Sequence, residues 1–166
     1  MYRIGQGWDR HQLAAGNRCI LGGVLFAQSE VGPVAHSDGD VVCHAICDAL
    51  LGAVNIGDLG RHFPDTDPQY AGADSLVLLE KVRQLVADEG YVVGNVDCTI
   101  IAEAPKIAPE AVQMQKKLAG ALAVDIGRVS VKATRGEGLG PEGRGECITV
   151  QAVVLVQAKS NQEGGV

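Results

Sequence analysis

Three helical stretches, near residues 40–54, 74–89 and 109–123, interleave with runs of strand character, and this alternation constrains the fold more than any other feature. Strand patterns cover 2–7, 91–102, 129–134 and 148–156, and 19–26 reads as a hairpin turning on Gly22 and Gly23. In the first helix Val41, Ala45, Leu50, Leu51 and Val54 supply the apolar stripe, with Asp38 as the expected N-cap. In the second, Leu76, Leu79, Val82 and Val86 recur at helical spacing up to a stop at Gly90. Pro109 opens the third. Such an order fits an α+β fold, a mixed β-sheet with helices packed on one face.

The 166 residues are read as one domain over 1–157, long enough to bury a core without staples, and a polar tail over 158–166. No repeat, low-complexity segment or linker interrupts it. The 22 glycines are nearly twice the usual share of about 7%, which predicts tight turns or close backbone approaches to a ligand. A net charge of −6 argues against nucleic acid or an anionic membrane as the main partner, while leaving room for an anionic small molecule where cations gather locally. The five cysteines, 19, 43, 47, 98 and 147, are scattered through apolar runs and read as reduced core residues of a cytoplasmic protein. Met1 to Ile4 pass straight into a strand pattern, so no secretory leader is expected, and no apolar run approaches the roughly 18 residues of a membrane span.

The chemistry concentrates first in Asp9-Arg10-His11 and in His44, 33 residues on. In an extended strand, side chains two apart point the same way, so Asp9 and His11 can face one ion. With His44 they offer three ligands of the kind that hold a catalytic zinc with its fourth position open. Asp40, His44 and Asp48 are four apart on one helix face, so carboxylates flank His44. A solvated helix face with an ordinary histidine accounts for that face equally well. Cys43 and Cys47 lack the C-x2-C spacing of thiolate zinc sites and read as core.

Between the first two helices, 55–73 is a long loop dense in aspartate, and loops of that length are functional or disordered. Asp58, Asp65 and Asp67 can accept hydrogen bonds from hydroxyls or bind a hard cation, or can serve plain turn chemistry. His62 is expected at the surface. The third cluster is the glycine-rich loop 136–145, flanked by Lys132, Thr134, Arg135 and Arg144, whose amides and cations can cradle phosphates. It is neither a P-loop nor a dinucleotide fingerprint.

Taken together, these segments closely resemble the 2-C-methyl-D-erythritol 2,4-cyclodiphosphate synthase family of the non-mevalonate isoprenoid pathway. The resemblance runs through Arg3-Ile-Gly-x-Gly-x-Asp9-x-His11, Leu21-Gly-Gly23, Ala35-His-Ser-Asp-Gly-Asp40, His44-Ala, Asp48-Ala-Leu-Leu-Gly-Ala53, Gly57-Asp58, Phe63-Pro-Asp-Thr-Asp-Pro68, Gly94-Asn-Val-Asp97, Ala104-Pro-Lys106, Val131-Lys-Ala-Thr134 and Gly143-Arg-Gly-Glu146. It implies a homotrimer around a threefold axis with active sites between subunits. The family's cytidine diphosphate substrate, 4-diphosphocytidyl-2-C-methyl-D-erythritol 2-phosphate, closes on itself when its 2-phosphate attacks the β-phosphorus and expels CMP.

The same resemblance implies zinc on Asp9, His11 and His44, and a Mg²⁺ or Mn²⁺ ion on Glu137 bridging the diphosphate. His36 and Ser37 are expected beside the attacking phosphate and Asp58 at the erythritol hydroxyls. Gly60, Phe63, Asp65, Asp67 and Asp48 are expected along the substrate. Ala102, Ala104, Pro105, Lys106, Ile107 and Ala108 are expected to hold the cytosine through their backbone, and Lys106, Thr134 and Gly136 the phosphates.

Three positions depart from the family. Arg135 replaces a threonine credited with stabilising the transition state, and its guanidinium is expected to bind phosphate, the alternative being solvent. Pro141 and Trp8 stand where family members carry aromatics at the threefold axis, a place where some bind an isoprenoid diphosphate through the arginine matching Arg144. Two other readings share these residues: a zinc phosphoesterase using metal-bound hydroxide, and an inactive trimeric isoprenoid-phosphate binding protein.

Overall fold

The computed structural model describes residues 1–159. Its main sheet has five strands in the order β4 (Val31–Pro33), β1 (Tyr2–Ala15), β7 (Cys147–Ala158), β5 (Tyr91–Ile101), β6 (Val129–Thr134). Only β5 and β6 run parallel; every other neighbour is antiparallel, so the sheet is mixed, as the order of elements requires. A separate hairpin joins β2 (Ile20–Leu21) to β3 (Val24–Leu25). The turn between them has Gly22 and Gly23 at φ 55° and 74°, a backbone region that favours glycine.

Helix α1 (Val41–Val54) lies on β1 and β7, α3 (Ser75–Asp88) packs on α1 and β5, and α4 (Ala111–Leu122) packs on α3 and β6. Leu50, Leu51, Leu79, Ile100, Met114, Leu118 and Ile148 are fully buried where these layers meet. Val, Leu, Ile, Ala and all five cysteines fill the core, and every thiol is free and buried. The glycine surplus has an unexpected use in β1. A Cβ on Gly5 would fall 1.8 Å from the Ala49 carbonyl oxygen, and one on Gly7 would fall 1.9 Å from that of Ala45. These glycines admit a helix backbone, not a ligand, against the strand that carries Asp9 and His11.

Among the described residues, the opposite face of the sheet carries none of α1, α3 and α4. There β1 presents Ile4 and Trp8, β5 presents Val92 and β7 presents Val153, all among the exposed large apolar residues.

Several boundaries differ from those read in the sequence. Strand β1 continues beyond residue 7, because β7 supplies a registered partner from Tyr2↔Gln157 through Gln12↔Cys147 whatever the polarity of the side chains. The 55–73 stretch holds a one-turn helix, α2 (Leu59–His62), and a 3-10 turn (Pro68–Tyr70), each capped by an aspartate. His62 is half-buried, its Nε2 2.9 Å from the Ile56 carbonyl. Residues 140–143 of the glycine-rich loop form the short helix α5 (Gly140–Gly143). Pro109 sits in a 3-10 turn (Ala108–Glu110) just ahead of α4. Gln157 and Ala158 belong to β7, paired with β1 and β5, so the tail begins later than expected and residues 160–166 lie outside the described residues.

The cap of α1 is Asp40, two residues after the one expected. Gly39 at φ 76° turns the chain so that the Asp40 carboxylate accepts hydrogen bonds from Val42 N (3.1 Å) and Cys43 N (3.2 Å). The same carboxylate accepts from Gly22 N (2.9 Å) and Gly23 N (2.6 Å), tying the β2–β3 turn to the helix. Asp40 is fully buried in these contacts and does not flank His44. Asp38 reaches instead to the start of α3, where it accepts from Ser75 N at 3.0 Å and Ser75 Oγ at 2.5 Å.

Candidate active site

On β1 Gly5, Gly7 and the side chains of Asp9 and His11 share the face turned toward α1, and His44 comes down from the first turn of that helix. Because the glycines let α1 approach, three ligand atoms converge. Asp9 Oδ2 is 2.9 Å from His11 Nε2 and 3.2 Å from His44 Nδ1, and the two ring nitrogens are 3.3 Å apart. Tetrahedral zinc with bonds of roughly 2.0–2.1 Å sets its ligand atoms about 3.3 Å apart, so the spacing fits that ion with little adjustment. Among the described residues, these three alone form a metal-competent cluster.

The outer hydrogen bonds of the rings strengthen the fit. His11 Nδ1 lies 3.0 Å from the Val34 carbonyl, which only accepts, so the proton sits on Nδ1 and the neutral ring turns a bare Nε2 inward. His44 Nε2 lies 3.0 Å from Ser75 Oγ and 3.1 Å from Ser37 Oγ. Ser75 spends its own proton on Asp38, which leaves its oxygen to accept from His44 Nε2 and leaves His44 Nδ1 bare. Two imidazole lone pairs and a carboxylate then face one point, an arrangement that repels itself without a cation. The metal-free alternative is protonation of the rings toward Asp9: burial would raise the Asp9 carboxyl, but hydrogen bonds and charge from protonated His11 and His44 outweigh it and hold Asp9 well below the carboxylate range. The cysteines are poor competitors: burial pushes the Cys43 and Cys47 thiols well above their ordinary value.

The triad forms part of the wall of a cavity of about 530 Å³. His36, Ser37, Asp48, Gly60, Phe63 and Asp65 line it too, so most of the residues expected around the reacting phosphates are brought together. Asp48 accepts from Leu59 N at 2.7 Å; burial raises its carboxyl, and that amide only partly offsets the rise. Asp58 and Asp67 are caps of their short helical turns and do not line the cavity.

A profile of the YgbB family matches residues 2–157. The chain belongs to the YgbB family. A Bacillus velezensis relative named 2-C-methyl-D-erythritol 2,4-cyclodiphosphate synthase is 52% identical over 157 residues, covering 95% of this chain and 99% of that protein. A Bacillus cereus relative of the same name is 52% identical over 159 residues, covering 96% of this chain and 100% of that one. Among solved structures, the Plasmodium falciparum IspF complex with CDP superposes at a TM-score of 0.84 with 34% identity, covering 96% of this chain and 97% of its own. The bifunctional IspDF of Campylobacter jejuni matches at 0.92 with 36% identity, covering 96% of this chain and 43% of its own length.

In this YgbB chain the remaining expected residues stand apart from the triad. Thr134 ends β6 in the row Arg10–Thr149–Ile101–Thr134, three strand spacings or about 14 Å across the sheet from β1. Ala104, Pro105 and Lys106 line a second cavity of about 700 Å³ together with residues 25–31, Pro109 and Glu110. Ala102 and Ile107 are buried, Ala108 opens the 3-10 turn before α4, and Gly136 packs against Gly143 with no room for a side chain. Glu137 adopts a left-handed φ of 52°. Arg135 is neither turned to solvent alone nor near the triad's cavity; it is bound to Glu103. Arg144 is paired with Glu146 at 2.7 Å.

Sequence reasoning missed Ser75 and Val34, which set the histidine tautomers, and Tyr70 and Leu78 in the cavity wall. Ser75 precedes an apolar stripe and carries no local signal. Gly5 and Gly7 did carry one, since two glycines on one face of a strand mark a close approach.

Proposed function

We propose that this chain converts 4-diphosphocytidyl-2-C-methyl-D-erythritol 2-phosphate into 2-C-methyl-D-erythritol 2,4-cyclodiphosphate and CMP, a phosphorus–oxygen lyase step of isoprenoid precursor synthesis. The observation that carries this reading is the convergence of Asp9 Oδ2, His11 Nε2 and His44 Nδ1 beside His36 and Ser37 in one cavity. It supports a zinc ion there, which supplies charge and Lewis acidity toward a phosphate oxygen. Val34 and Ser75 hold the ring protons outward. His36 and Ser37 hold the attacking 2-phosphate, and Asp48, Asp65 and, from the turn next to the cavity-lining Leu59, Asp58 receive hydroxyls. No side chain acts as nucleophile; holding the folded substrate in line contributes roughly 7–11 kcal/mol through orientation.

Lys106, Thr134 and Glu137 with Mg²⁺ or Mn²⁺ belong to the nucleotide diphosphate, and the backbone of 102–108 to the cytosine. Since Thr134 stands about 14 Å across the sheet from β1, a complete site takes its two halves from neighbouring copies. The sheet face turned away from α1, with Ile4 71% and Trp8 47% exposed, supports packing as a homotrimer. Arg144 then offers its guanidinium to an isoprenoid diphosphate on the threefold axis, in exchange for Glu146. Residues 1–157 act as one catalytic domain. Five buried free thiols suit a reducing cytoplasm, and among the described residues no helix is long and apolar enough to cross a membrane.

The test is incubation of the purified protein with the cytidylyl substrate and Mg²⁺ in H₂¹⁸O. The expected products are CMP and a cyclic diphosphate seen by ³¹P NMR without solvent oxygen. An open-chain phosphate carrying ¹⁸O would replace this reading with a zinc phosphoesterase, and absence of turnover with an inactive binding protein.

A further inference from the structure

Strands β5 and β6 are parallel and end side by side, the last bond between them running from Ala102 N to the Thr134 carbonyl at 3.1 Å. Beyond that bond one chain enters 102–108 and the other enters 135–138. A single carboxylate holds the diverging ends together. Glu103 Oε2 accepts from Arg135 Nε at 2.9 Å and Arg135 Nη2 at 2.7 Å, while Oε1 is 3.5 Å from Gly138 N. Residues 135 and 138 bracket Glu137, which with Gly138 forms two successive left-handed residues at φ 52° and 75°. A left-handed non-glycine residue persists where its surroundings impose it. Here the loop is pinned by Glu103 on one side and by the close packing of Gly136 on Gly143 on the other.

From this geometry we infer that Glu103 and Arg135 form a clasp that fixes the Glu137 loop against the 102–108 segment. Arg135 is thus a positioning residue acting through Glu137. The inference rests on the cyclase reading for its functional consequence. Cytosine and diphosphate are parts of one molecule, so the segments that hold them need a fixed mutual distance, and the clasp supplies it. It also commits the forked edge of the guanidinium that a phosphate would otherwise engage, and it cancels the Glu103 charge beside an anionic ligand.

Hydrogen-exchange mass spectrometry on the ligand-free full-length protein reads the clasp directly. Glu103→Gln and Arg135→Ala are each expected to speed amide exchange in 135–139 by about threefold to tenfold with unchanged melting temperature. The exchanged pair Glu103→Arg with Arg135→Glu should restore protection. In turnover, each single variant should raise the Mg²⁺ concentration for half-maximal CMP release by a similar factor, and the double variant Glu103→Gln with Arg135→Ala should be no worse than the worse single. Unchanged exchange in both single variants would overturn the clasp. So would a large loss of kcat at saturating Mg²⁺ in Arg135→Ala beside a neutral Glu103→Gln, because that pattern puts Arg135 on the reacting phosphate. If the wild-type protein releases no CMP, the cyclase reading fails while the exchange result still decides the clasp.

Discussion

Gly7→Ala tests whether strand–helix proximity makes the metal site. The added Cβ would meet the Ala45 carbonyl oxygen at 1.9 Å and the Ala49 amide nitrogen at 2.8 Å, both backbone atoms that no side-chain rotation relieves. Ordinary contact returns only when α1 retreats by about 1.5 Å. His44 is next to Ala45 and moves with it, while Asp9 and His11 stay with β1. The 3.2 and 3.3 Å separations from His44 Nδ1 then grow toward about 4.8 Å, beyond the roughly 3.3 Å that tetrahedral zinc accepts. Overpacking of this kind costs about 1–3 kcal/mol, a fall in Tm of about 2–12 °C for a chain of this size. Zinc affinity should fall at least about a hundredfold in chelator competition, with stoichiometry followed by mass spectrometry of the metal. Gly52→Ala is the control, since nothing lies within 4 Å of its would-be Cβ in α1. It should gain about 0.5–1 kcal/mol and keep its zinc. One equivalent of zinc at wild-type affinity together with an undiminished Tm in Gly7→Ala would refute the reasoning.

Other consequences follow from the same contacts. His44→Ala should abolish stoichiometric zinc with small loss of fold, while Cys43→Ser retains it; zinc lost from the serine variant instead would show the ligand set to be wrong. Asp40→Ala leaves the amides of Gly22, Gly23, Val42 and Cys43 without their buried acceptor and should cost about 3 kcal/mol or more by urea denaturation, although it also relieves the burial of a carboxylate. Asp48 has a folded pKa raised by burial above its ordinary 3.8, so its ionisation opposes folding once the pH rises through that folded value. Asp48→Asn, which keeps an acceptor for Leu59 N, should therefore melt above wild type at pH 7, the difference shrinking as pH falls toward 3.8; a constant difference would argue for a packing effect.

Periodicity located two of the main helices and four of the five strands of the sheet, because apolar spacing of 3.6 and 2 is a local property, and Pro109 marked the third helix; the three-residue β4 is too short to show a period and was missed. Periodicity also stopped β1 too early, since the polar Asp9-Arg10-His11-Gln12 stretch is strand only through its pairing with β7. The N-cap of α1 was displaced for a similar reason. Asp38 and Asp40 are equally good caps in isolation; Gly39 aims Asp40 at the α1 amides, while Asp38 is taken up by Ser75 at the start of α3, whose own N-cap is Asp74. At the site, ligand types and their spacing named Asp9, His11 and His44, whereas the tautomers depend on Val34 and Ser75, which nothing near the ligands in the sequence announces.

The amino-acid sequence by itself therefore determined the order of the main elements, the α+β class and the three residues of the candidate metal cluster, since these are written in residue type and short spacing. Only the tertiary structure decided that α1 lies on two glycines of β1, that the ligand atoms meet within 3.3 Å, and that Arg135 is bound to Glu103. It also decided that Thr134 and the glycine-rich loop after it stand apart from the triad. Each of these depends on contacts between residues distant in the chain, and local propensity carries no record of which surfaces will pack.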